Sequence, residues 1–280
     1  MKKVSNGLIK DFTTYKLSGK MRDVFFPSNI DELKELLNSL LKYKIIGNGS
    51  NLIIDESYAG SFIKLSGFNK IIFDDNVVSV GCGYSLSKLS FECGKKGLSG
   101  LEFACGIPGT VGGAIYMNAG AYGKNISDVI KNVTIFDEKY NIRVLDKKDL
   151  KLGYRDSIFK KKNYIILEAK FNLVSKKSED ILEEISEIMD LRRSKQPLEY
   201  PSAGSVFRNP VGYSAGRLVQ KANLQGEHVG DAYVSEKHAN FIVNKGHASA
   251  DDVVKLINLV KDKVKEEFNV DLELEQEILK

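Results

Sequence analysis

Apolar residues recur with a helical period in three segments of the chain. The first opens after Pro27, Ser28 and Asn29, the second after Ser178, and the third after Ser249. Spacings of three and four residues place these apolar side chains on one face of each predicted helix. Ser178 is predicted to cap the second helix, and Ser249 with Asp252 has the spacing of a capping box for the third. The three faces are Ile30, Leu33, Leu36, Leu37, Leu40 and Leu41; Ile181, Ile185, Ile188 and Met189; and Val253, Leu256, Ile257, Val260, Val264 and Phe268.

Short apolar runs between these helices predict strands. One further helix is expected over Tyr84–Gly94. Because helices and strands do not alternate as a regular βαβ series, the pattern predicts an α+β fold with antiparallel strands. The predicted strands are Tyr43–Ile46, Leu52–Ile54, Phe62–Leu65, Ile71–Phe73, Val77–Val80, Val133–Phe136, Ile142–Leu145, Tyr164–Leu173, Ala239–Val243 and Asp271–Leu279.

The length of 280 residues indicates about two domains. Pro197 and Pro201 end the helix that begins near Ser178, and the main domain boundary is expected there.

Charge and composition exclude several classes of protein. The 41 basic and 37 acidic residues leave a net charge of +4, and the short lysine runs have acidic neighbours. A nucleic-acid partner is therefore not expected. The chain start has no apolar stretch typical of a secretion signal, and no segment is apolar enough to span a bilayer. Cys82, Cys93 and Cys105 have no disulfide or metal-knuckle spacing, so we expect a soluble cytoplasmic protein with buried thiols.

Two glycine-rich segments are candidate ligand sites. Gly47–Leu52 follows a predicted strand, and its glycines would let a phosphate approach the backbone N–H groups. Taken alone, that segment is more commonly a plain turn between two strands. Gly106–Gly123 is almost uncharged and lies in a stretch, residues 100–123, that contains seven of the 24 glycines. It could either wrap a large planar phosphorylated cofactor or let two backbones cross closely.

Three further segments carry side chains suited to catalysis. Arg155 could hold a carboxylate or an enolate, although a surface arginine is the common alternative. Ser205 lies between two prolines and presents a hydroxyl, but without the nucleophile elbow of acyl-transfer enzymes. Glu275 and Glu277 share one face of the predicted last strand. They could be solvated charges, which is the usual case, or one of them could be a carboxyl group of the site. The three histidines are nine or ten residues apart, which makes a metal site improbable.

Taken together and in this order, these segments resemble the UDP-N-acetylenolpyruvoylglucosamine reductase family of bacterial flavoenzymes. The resemblance covers the chain from about Asp11 to Glu277. The length is similar to that of the class without an additional substrate loop. The matching motifs are GNGSNLI, GLEFACGIPGTVGGAIYMNAGAYG, GYRDSIF, PSAGSVFRNP, AGRLVQKANLQG and SEKHANFIVN.

The resemblance implies a two-lobed FAD-binding domain of the vanillyl-alcohol-oxidase type and a smaller α+β substrate domain. We expect the FAD-binding domain at 1–195, with its lobes divided near residue 68, and the substrate domain at 196–280. The family usually has a proline between its last two glutamates, where this chain has Gln276. It therefore stays open whether Glu275 or Glu277 faces the site, with Glu277 favoured.

The resemblance also implies roles for individual residues. Arg155, Ser205 and Glu277 match the family's catalytic arginine, serine proton donor and carboxyl group. Non-covalent FAD is expected to contact Gly47, Asn48, Gly49, Ser50, Asn51, Leu52, Gly106, Pro108, Gly109, Thr110, Gly112, Gly113, Asn118, Ala119, Gly120 and Ala121. The nucleotide-sugar substrate is expected to contact Asn209, Arg217, Gln220, His238 and Asn240.

The implied reaction reduces an enolpyruvyl ether to a lactyl ether, with NADPH as reductant and FAD as carrier. One alternative is a carbohydrate or lactone oxidase of the same fold, disfavoured because no histidine lies in the glycine-rich segments to tether a flavin. A second alternative is a non-catalytic nucleotide-sugar binding protein, disfavoured because Arg155, Ser205 and the terminal glutamates are all present. The sequence leaves the oligomeric state open and is compatible with a monomer.

Overall fold

The computed structural model describes every residue from Met1 to Lys280. It contains seven α-helices: α1 Ile30–Ser39, α2 Leu86–Lys95, α3 Val111–Tyr116, α4 Ile126–Val129, α5 Ser178–Lys195, α6 Ala215–Lys221 and α7 Ala250–Phe268. No helix is both long enough and apolar enough to cross a membrane.

Nineteen short strands lie between and around these helices. The strands of the N-terminal half are β1 Lys2–Val4, β2 Val24–Phe26, β3 Tyr43–Ile46, β4 Leu52–Ile54, β5 Ser61–Lys64, β6 Ile71–Asp74, β7 Val77–Gly81, β8 Leu98–Ser99, β9 Gly120–Ala121 and β10 Lys124–Asn125. The remaining strands are β11 Ile130–Phe136, β12 Ile142–Asp146, β13 Ile165–Asn172, β14 Val174–Ser175, β15 Ser202–Ser205, β16 His228–Val229, β17 Ala232–Val234, β18 Phe241–Asn244 and β19 Glu277–Leu279.

Contacts divide the chain into two compact units that do not follow chain order. The first unit consists of Met1–Lys3, Phe25–Gly47 and Phe62–Arg192. The second unit consists of Val4–Val24, Asn48–Ser61 and Arg193–Lys280. Because two early segments belong with the C-terminal residues, a single boundary near residue 195 does not separate the two units. Domains at 1–195 and 196–280 remain a prediction.

The first unit is built on a five-stranded sheet in the order β12-β11-β13-β7-β6. All neighbouring strands in this sheet pair antiparallel, with Ala169 opposite Val80 and Val133 opposite Ala169 at the centre. These side chains are buried together with α2, whose apolar face includes Leu86 and Leu89. The unit also holds a four-stranded sheet in the order β1-β2-β5-β3.

The second unit is built on an antiparallel four-stranded sheet in the order β15-β18-β17-β16. The long helix α7 supplies much of its core because it begins at the predicted Ser249–Asp252 capping box and buries its apolar face. That face consists of the buried side chains of Val253, Leu256, Ile257, Val260 and Val264. Phe268, predicted to continue the face, is only half-buried.

The α+β class is confirmed, and so are most of the elements predicted from periodicity. Three local predictions are wrong. Leu41, expected on the apolar face of α1, lies beyond the end of that helix and is fully exposed. Ser178 is the first residue of α5, and its hydroxyl donates to the carbonyl of Gly94 at 2.9 Å rather than capping the helix. The last strand covers only Glu277–Leu279 and pairs in parallel with β4. Residues 273–275 instead bond to the backbone of residues 206–208, so the chain changes partner at Gln276.

All three cysteines are free and buried, as expected. Burial raises the pKa of the Cys82 and Cys93 thiols to about 12. The thiols therefore stay protonated and behave as small apolar side chains.

Candidate active site

In the first unit the two glycine-rich segments meet at Gly47 and Thr110. A Cβ atom added at Gly47 would lie 2.6 Å from the Thr110 hydroxyl, so only glycine allows this approach. Thr110 in turn caps α3, because its hydroxyl accepts a hydrogen bond from the Gly113 amide at 3.3 Å. The amides of Val111 and Gly112 donate to the carbonyls of Tyr84 and Cys82 at 2.9 and 2.8 Å. The start of α3 is thus fixed by the protein itself.

Gly113 is a glycine in this segment whose lack of a side chain has no explanation in protein packing. It is exposed inside α3, where alanine would stabilise the helix by about 1 kcal/mol. A Cβ atom there would meet only the Thr110 hydroxyl, at an ordinary 3.5 Å. Neither packing nor backbone conformation requires glycine here, whereas Gly112 is required by a 3.0 Å approach to Cys82. An exposed backbone surface at Gly113 fits a bound group that approaches closely.

The rest of the first glycine-rich loop, Asn48–Leu52, belongs to the second unit. Gly49 is buried and adopts φ +61°, and a Cβ there would lie 2.6 Å from the Phe12 carbonyl oxygen. The backbone N–H groups of Asn48, Gly49 and Ser50 donate no hydrogen bond within the protein. Successive unpaired N–H groups around a left-handed residue form an anion-binding concavity. This loop therefore fits a phosphate-bearing group.

The segment Asn118–Ala121 is held in place by contacts within the protein, and its contact with FAD stays a prediction. The Asn118 side chain is 5% exposed, donates to the Gly153 carbonyl at 2.8 Å and accepts from the Ser127 amide at 3.0 Å. Both polar groups are thus used within the protein. Gly120 and Ala121 form β9, paired with β10, and the Ala119 amide bonds to the Ala114 carbonyl at 2.8 Å. Asn118 therefore anchors the turn at Gly153 that precedes Arg155.

Earlier in the same segment, Gly106, Pro108 and Gly109 form the approach to α3. A Cβ at Gly106 would lie 2.5 Å from Cδ of Arg192. Gly109 accepts a hydrogen bond from the Leu86 amide at 3.0 Å, which fixes the loop on the start of α2. The backbone of this approach is therefore held by α2 and α5.

Arg155 lies in a tight turn closed by two backbone hydrogen bonds between Gly153 and Asp156, at 3.0 and 3.3 Å. It has φ +53°, an uncommon conformation for a residue with a side chain. Its guanidinium donates to the Gly120 carbonyl at 3.0 Å, and Lys160 donates to the Arg155 carbonyl at 2.8 Å. Ser157, fully buried, donates to the Tyr116 carbonyl at 2.7 Å. The glycine-rich segment thus holds the arginine turn from both ends.

In the second unit Glu277 lies beside the glycine-rich loop. It pairs with Leu52, and its amide donates to the Asn51 carbonyl at 3.0 Å. The Asn51 side chain donates to the Glu275 carbonyl at 3.0 Å. Burial, and then the charge of Glu277, raises the pKa of Tyr58. The sequence could not bring this loop and the chain end together, since 225 residues separate them.

Ser205 is held near the same chain end by Gln276. The Gln276 side chain is 4% exposed and donates to the carbonyls of Ala203 and Gly204 at 3.1 and 3.2 Å. Gly204 has φ +73°, with open space where a Cβ would point. Ser205 itself is half-buried and ends β15 opposite Phe241. Gln276 thus fixes the turn that presents the serine, a function that sequence reasoning missed although its departure from proline was visible.

Two of the five predicted substrate residues are engaged within the protein. The Asn240 side chain is 5% exposed and bonds to both backbone groups of Phe207, at 2.8 and 3.0 Å. His238 is half-buried, its Nδ1 accepts from the Asn240 amide at 3.3 Å, and burial lowers its pKa. Asn240 therefore stabilises the segment after Ser205, and His238 is neutral at physiological pH.

The other three are accessible. Arg217 and Gln220 are exposed on α6, three residues apart and so on adjoining faces of one turn. Asn209 is exposed, and its side-chain oxygen accepts from the Ala215 amide at 3.0 Å, at the start of the same helix. Their contact with the substrate stays a prediction.

Comparisons with known proteins agree with this geometry. A family profile described as an FAD binding domain matches residues 22–145, and one described as the C-terminal domain of UDP-N-acetylenolpyruvoylglucosamine reductase matches residues 196–279. The α+β fold, the glycine-rich loops and the first profile define an FAD-dependent oxidoreductase.

Individual relatives extend over nearly the whole chain. The UDP-N-acetylenolpyruvoylglucosamine reductase of Caldicellulosiruptor saccharolyticus is 45% identical, covering 97% of this chain and 90% of that protein. The Clostridium tetani protein of the same name is 43% identical over 97% of this chain and 90% of that protein. The crystal structure of the Thermus caldophilus reductase is 37% identical, with a TM-score of 0.86, and covers 100% of this chain and 98% of that one. The chain belongs to the UDP-N-acetylenolpyruvoylglucosamine reductase family.

Proposed function

We propose that this chain reduces UDP-N-acetyl-enolpyruvoylglucosamine to UDP-N-acetylmuramate, with NADPH as reductant and FAD as bound cofactor, for peptidoglycan precursor synthesis. Family membership supports the reaction. The observation that carries the assignment to this chain's residues is the pairing of β19 with β4, which joins Glu277 to the glycine-rich loop.

FAD, when bound, supplies the chemistry of accepting a hydride from NADPH and passing it to the terminal carbon of the enolpyruvyl group. Hydride addition leaves negative charge on the neighbouring carbon and its carboxylate. Arg155 is the residue proposed to stabilise this charge, because a fixed guanidinium acts most strongly where charge develops. Its turn is held by Asn118 and Ser157, so little reorganisation is needed at the moment of reaction.

The reaction also needs a proton at the carbon next to the carboxylate. Ser205 is proposed to deliver it, on a turn that Gln276 holds in place. A hydroxyl is a weak acid, so its surroundings must favour the transfer. Glu277 is proposed as the carboxyl group that assists at the reacting centre. Of the two terminal glutamates, we assign this role to Glu277 because its backbone is fixed beside Asn51 and Leu52.

Binding is assigned to the remaining residues predicted from the sequence. The N–H groups of Asn48, Gly49 and Ser50 are proposed to bind phosphate oxygens of FAD, and Gly113 to let the cofactor approach α3. Arg217, Gln220 and Asn209 are proposed to contact the nucleotide sugar. Asn118 and Asn240 are proposed to position loops, because their side chains are used within the protein.

The proposal is tested by following the flavin in two half-reactions. The purified protein should be yellow, should bleach with NADPH, and should recover its colour on adding the enolpyruvyl nucleotide sugar. Ser205→Ala should bind FAD and bleach at the normal rate but recover about 10²–10⁴-fold more slowly. Arg155→Ala should be slow in the same step. Normal recovery in Ser205→Ala would remove this serine from the mechanism, and a defect confined to FAD retention in Arg155→Ala would indicate a structural role.

The same experiment separates the oxidase alternative. An oxidase would recover colour with oxygen as rapidly as with the nucleotide sugar. We further propose that the enzyme acts in the cytoplasm, supported by its three free, buried cysteines. A monomer is proposed as the working unit, which light scattering during size-exclusion chromatography would test.

A further inference from the structure

Three consecutive lysines, at residues 160–162, follow the turn that carries Arg155, and they are placed differently. Lys161 and Lys162 are exposed, as lysine side chains usually are. Lys160 is half-buried, and its ammonium group donates a hydrogen bond to the carbonyl oxygen of Arg155 at 2.8 Å. One lysine of the three therefore contacts the residue to which the proposed mechanism assigns the substrate carboxylate.

The backbone and the ammonium group of Lys160 are both restrained. Its amide donates to the Ser157 carbonyl at 3.2 Å, which closes one turn of 3-10 helix over Ile158–Lys160. Ser157 is fully buried, and the Phe159 side chain is 5% exposed, so this short turn is anchored in the core. The ring of Tyr116 lies 5.8 Å from the ammonium group, within the range of cation–π attraction. The contact that Lys160 makes is therefore a fixed one.

Arg155 needs such a restraint because of its backbone conformation. Its φ of +53° lies in the left-handed region, which residues with side chains seldom occupy. The turn is closed by two hydrogen bonds, and the longer one, at 3.3 Å, comes from the Asp156 amide. That amide belongs to the same peptide group as the Arg155 carbonyl. Lys160 thus holds the oxygen of a peptide whose N–H makes the weaker bond of the turn, and losing Lys160 would leave the orientation of the arginine less defined.

We propose that Lys160 is a positioning residue for Arg155, and that by holding the Arg155 carbonyl it keeps the guanidinium oriented toward the substrate carboxylate. The inference rests on the proposed function, which assigns that carboxylate to Arg155. Stabilisation by a fixed cation depends on where the cation stands before the reaction begins. A displacement of about 1 Å can slow a reaction about 10²-fold. Lys160 therefore controls the rate without touching the substrate.

The experiment compares Lys160→Met and Lys160→Arg with Lys161→Met as the matched control. Lys160→Met keeps the apolar stem and removes the donor, whereas Lys160→Arg keeps a charged N–H donor. Lys161 is exposed and forms an ion pair with Asp156 at 3.0 Å, so its replacement removes a charge and a contact from the same turn. Stopped-flow absorbance of the FAD-loaded proteins follows reduction by NADPH and reoxidation by the enolpyruvyl nucleotide sugar.

We expect Lys160→Met to lower the limiting rate of reoxidation about 10- to 100-fold. The rate of reduction by NADPH, and the sugar concentration that gives half the limiting rate, should change less than about twofold. This separation is expected because Arg155 acts on charge that develops in the transition state. Lys160→Arg should recover most of the lost rate, and Lys161→Met should stay within about twofold of the wild type.

A double-mutant cycle distinguishes positioning of Arg155 from general support of the fold. In the Arg155→Ala background, Lys160→Met should change the rate of reoxidation by less than about twofold, because the residue through which it acts is gone. A merely structural lysine would cause the same loss in both backgrounds. If Lys160→Met does not fold, Lys160→Gln enters the same cycle, since its stem is one atom shorter and should not reach the Arg155 carbonyl.

Three results would overturn the inference. The first is normal reoxidation in Lys160→Met, and the second is an equal loss with and without Arg155. The third is an equal slowing of both half-reactions, which would indicate damage to the protein as a whole. Failure of the proposed function would look different: the wild type would bleach with NADPH but not recover its colour with the nucleotide sugar.

Discussion

Replacing Gln276 tests whether one buried amide holds the catalytic serine in place. Gln276→Met keeps the length of the side chain and removes the N–H₂ group that bonds to the carbonyls of Ala203 and Gly204. The side chain is 4% exposed, so water does not replace the lost donor. Two hydrogen bonds at about 0.5–1.5 kcal/mol each give an expected loss of about 1–3 kcal/mol in the free energy of unfolding.

The effect on the reaction follows from the same contacts. Gly204 has φ +73°, and the hydrogen bonds that its carbonyl and the Ala203 carbonyl accept from Gln276 restrain this turn. Without them the Ser205 hydroxyl should sample more orientations. We expect recovery of flavin colour by the nucleotide sugar to slow about 10- to 100-fold, while reduction by NADPH stays unchanged. Gln276→Glu, which faces two carbonyl oxygens with an acceptor, should be more damaging.

Urea denaturation of the apoprotein measures the stability term, and stopped-flow absorbance measures the two half-reactions. Gln225→Met is the control, because Gln225 also donates from its side chain to a backbone carbonyl, that of Glu236, in an exposed setting. It should lose less than about 0.5 kcal/mol. The reasoning fails if Gln276→Met loses no more stability than this control, or if both half-reactions slow equally.

Three further predictions follow from single contacts. Gly113→Ala should stabilise the apoprotein by about 0.5–1 kcal/mol in urea but weaken FAD binding in fluorescence titrations; unchanged affinity would show that no ligand approaches there. Burial lowers the pKa of His238 in the folded protein below its ordinary 6.5. As the pH falls below that value, the unfolded chain therefore binds more protons at this residue than the folded protein does, and the free energy of unfolding decreases. His238→Gln should therefore flatten the decline of unfolding free energy below about pH 6.5, and an identical slope would contradict this assignment. With the Cys82 and Cys93 thiol pKa values raised to about 12, a thiol reagent at pH 8 should label the native protein far more slowly than the urea-unfolded chain, and equal rates would refute their burial.

Sequence reasoning identified helices well where an apolar period coincided with a capping residue. Helix α7 begins at Ser249–Asp252 as predicted, since the capping signal and the buried face are both local properties. Helix α3 was missed because two of its six residues are glycines, which disfavour helices. It forms because Thr110 caps it and because its first amides bond to the carbonyls of Cys82 and Tyr84, which are distant in the sequence.

Among the site residues, the sequence indicated the chemistry better than the position. Arg155, Ser205 and Glu277 were singled out by residue type and motif, but their backbone settings could not be predicted. Asn118 looked like a cofactor donor because it lies in the glycine-rich segment. In the structure its side chain holds the turn at Gly153 that precedes Arg155, a contact between residues 35 positions apart.

The sequence by itself determined the secondary structure with local signals, the α+β class, and the motifs that place the chain among flavin-dependent reductases. Tertiary structure decided which glycines serve packing and which leave backbone open, and that Gln276 supports the turn before Ser205. The physical reason is the distance along the chain over which each kind of interaction acts. Periodicity, capping and motif spacing act within a few residues, whereas hydrogen bonds such as that between Gln276 and Gly204 join segments 72 residues apart and exist only after folding.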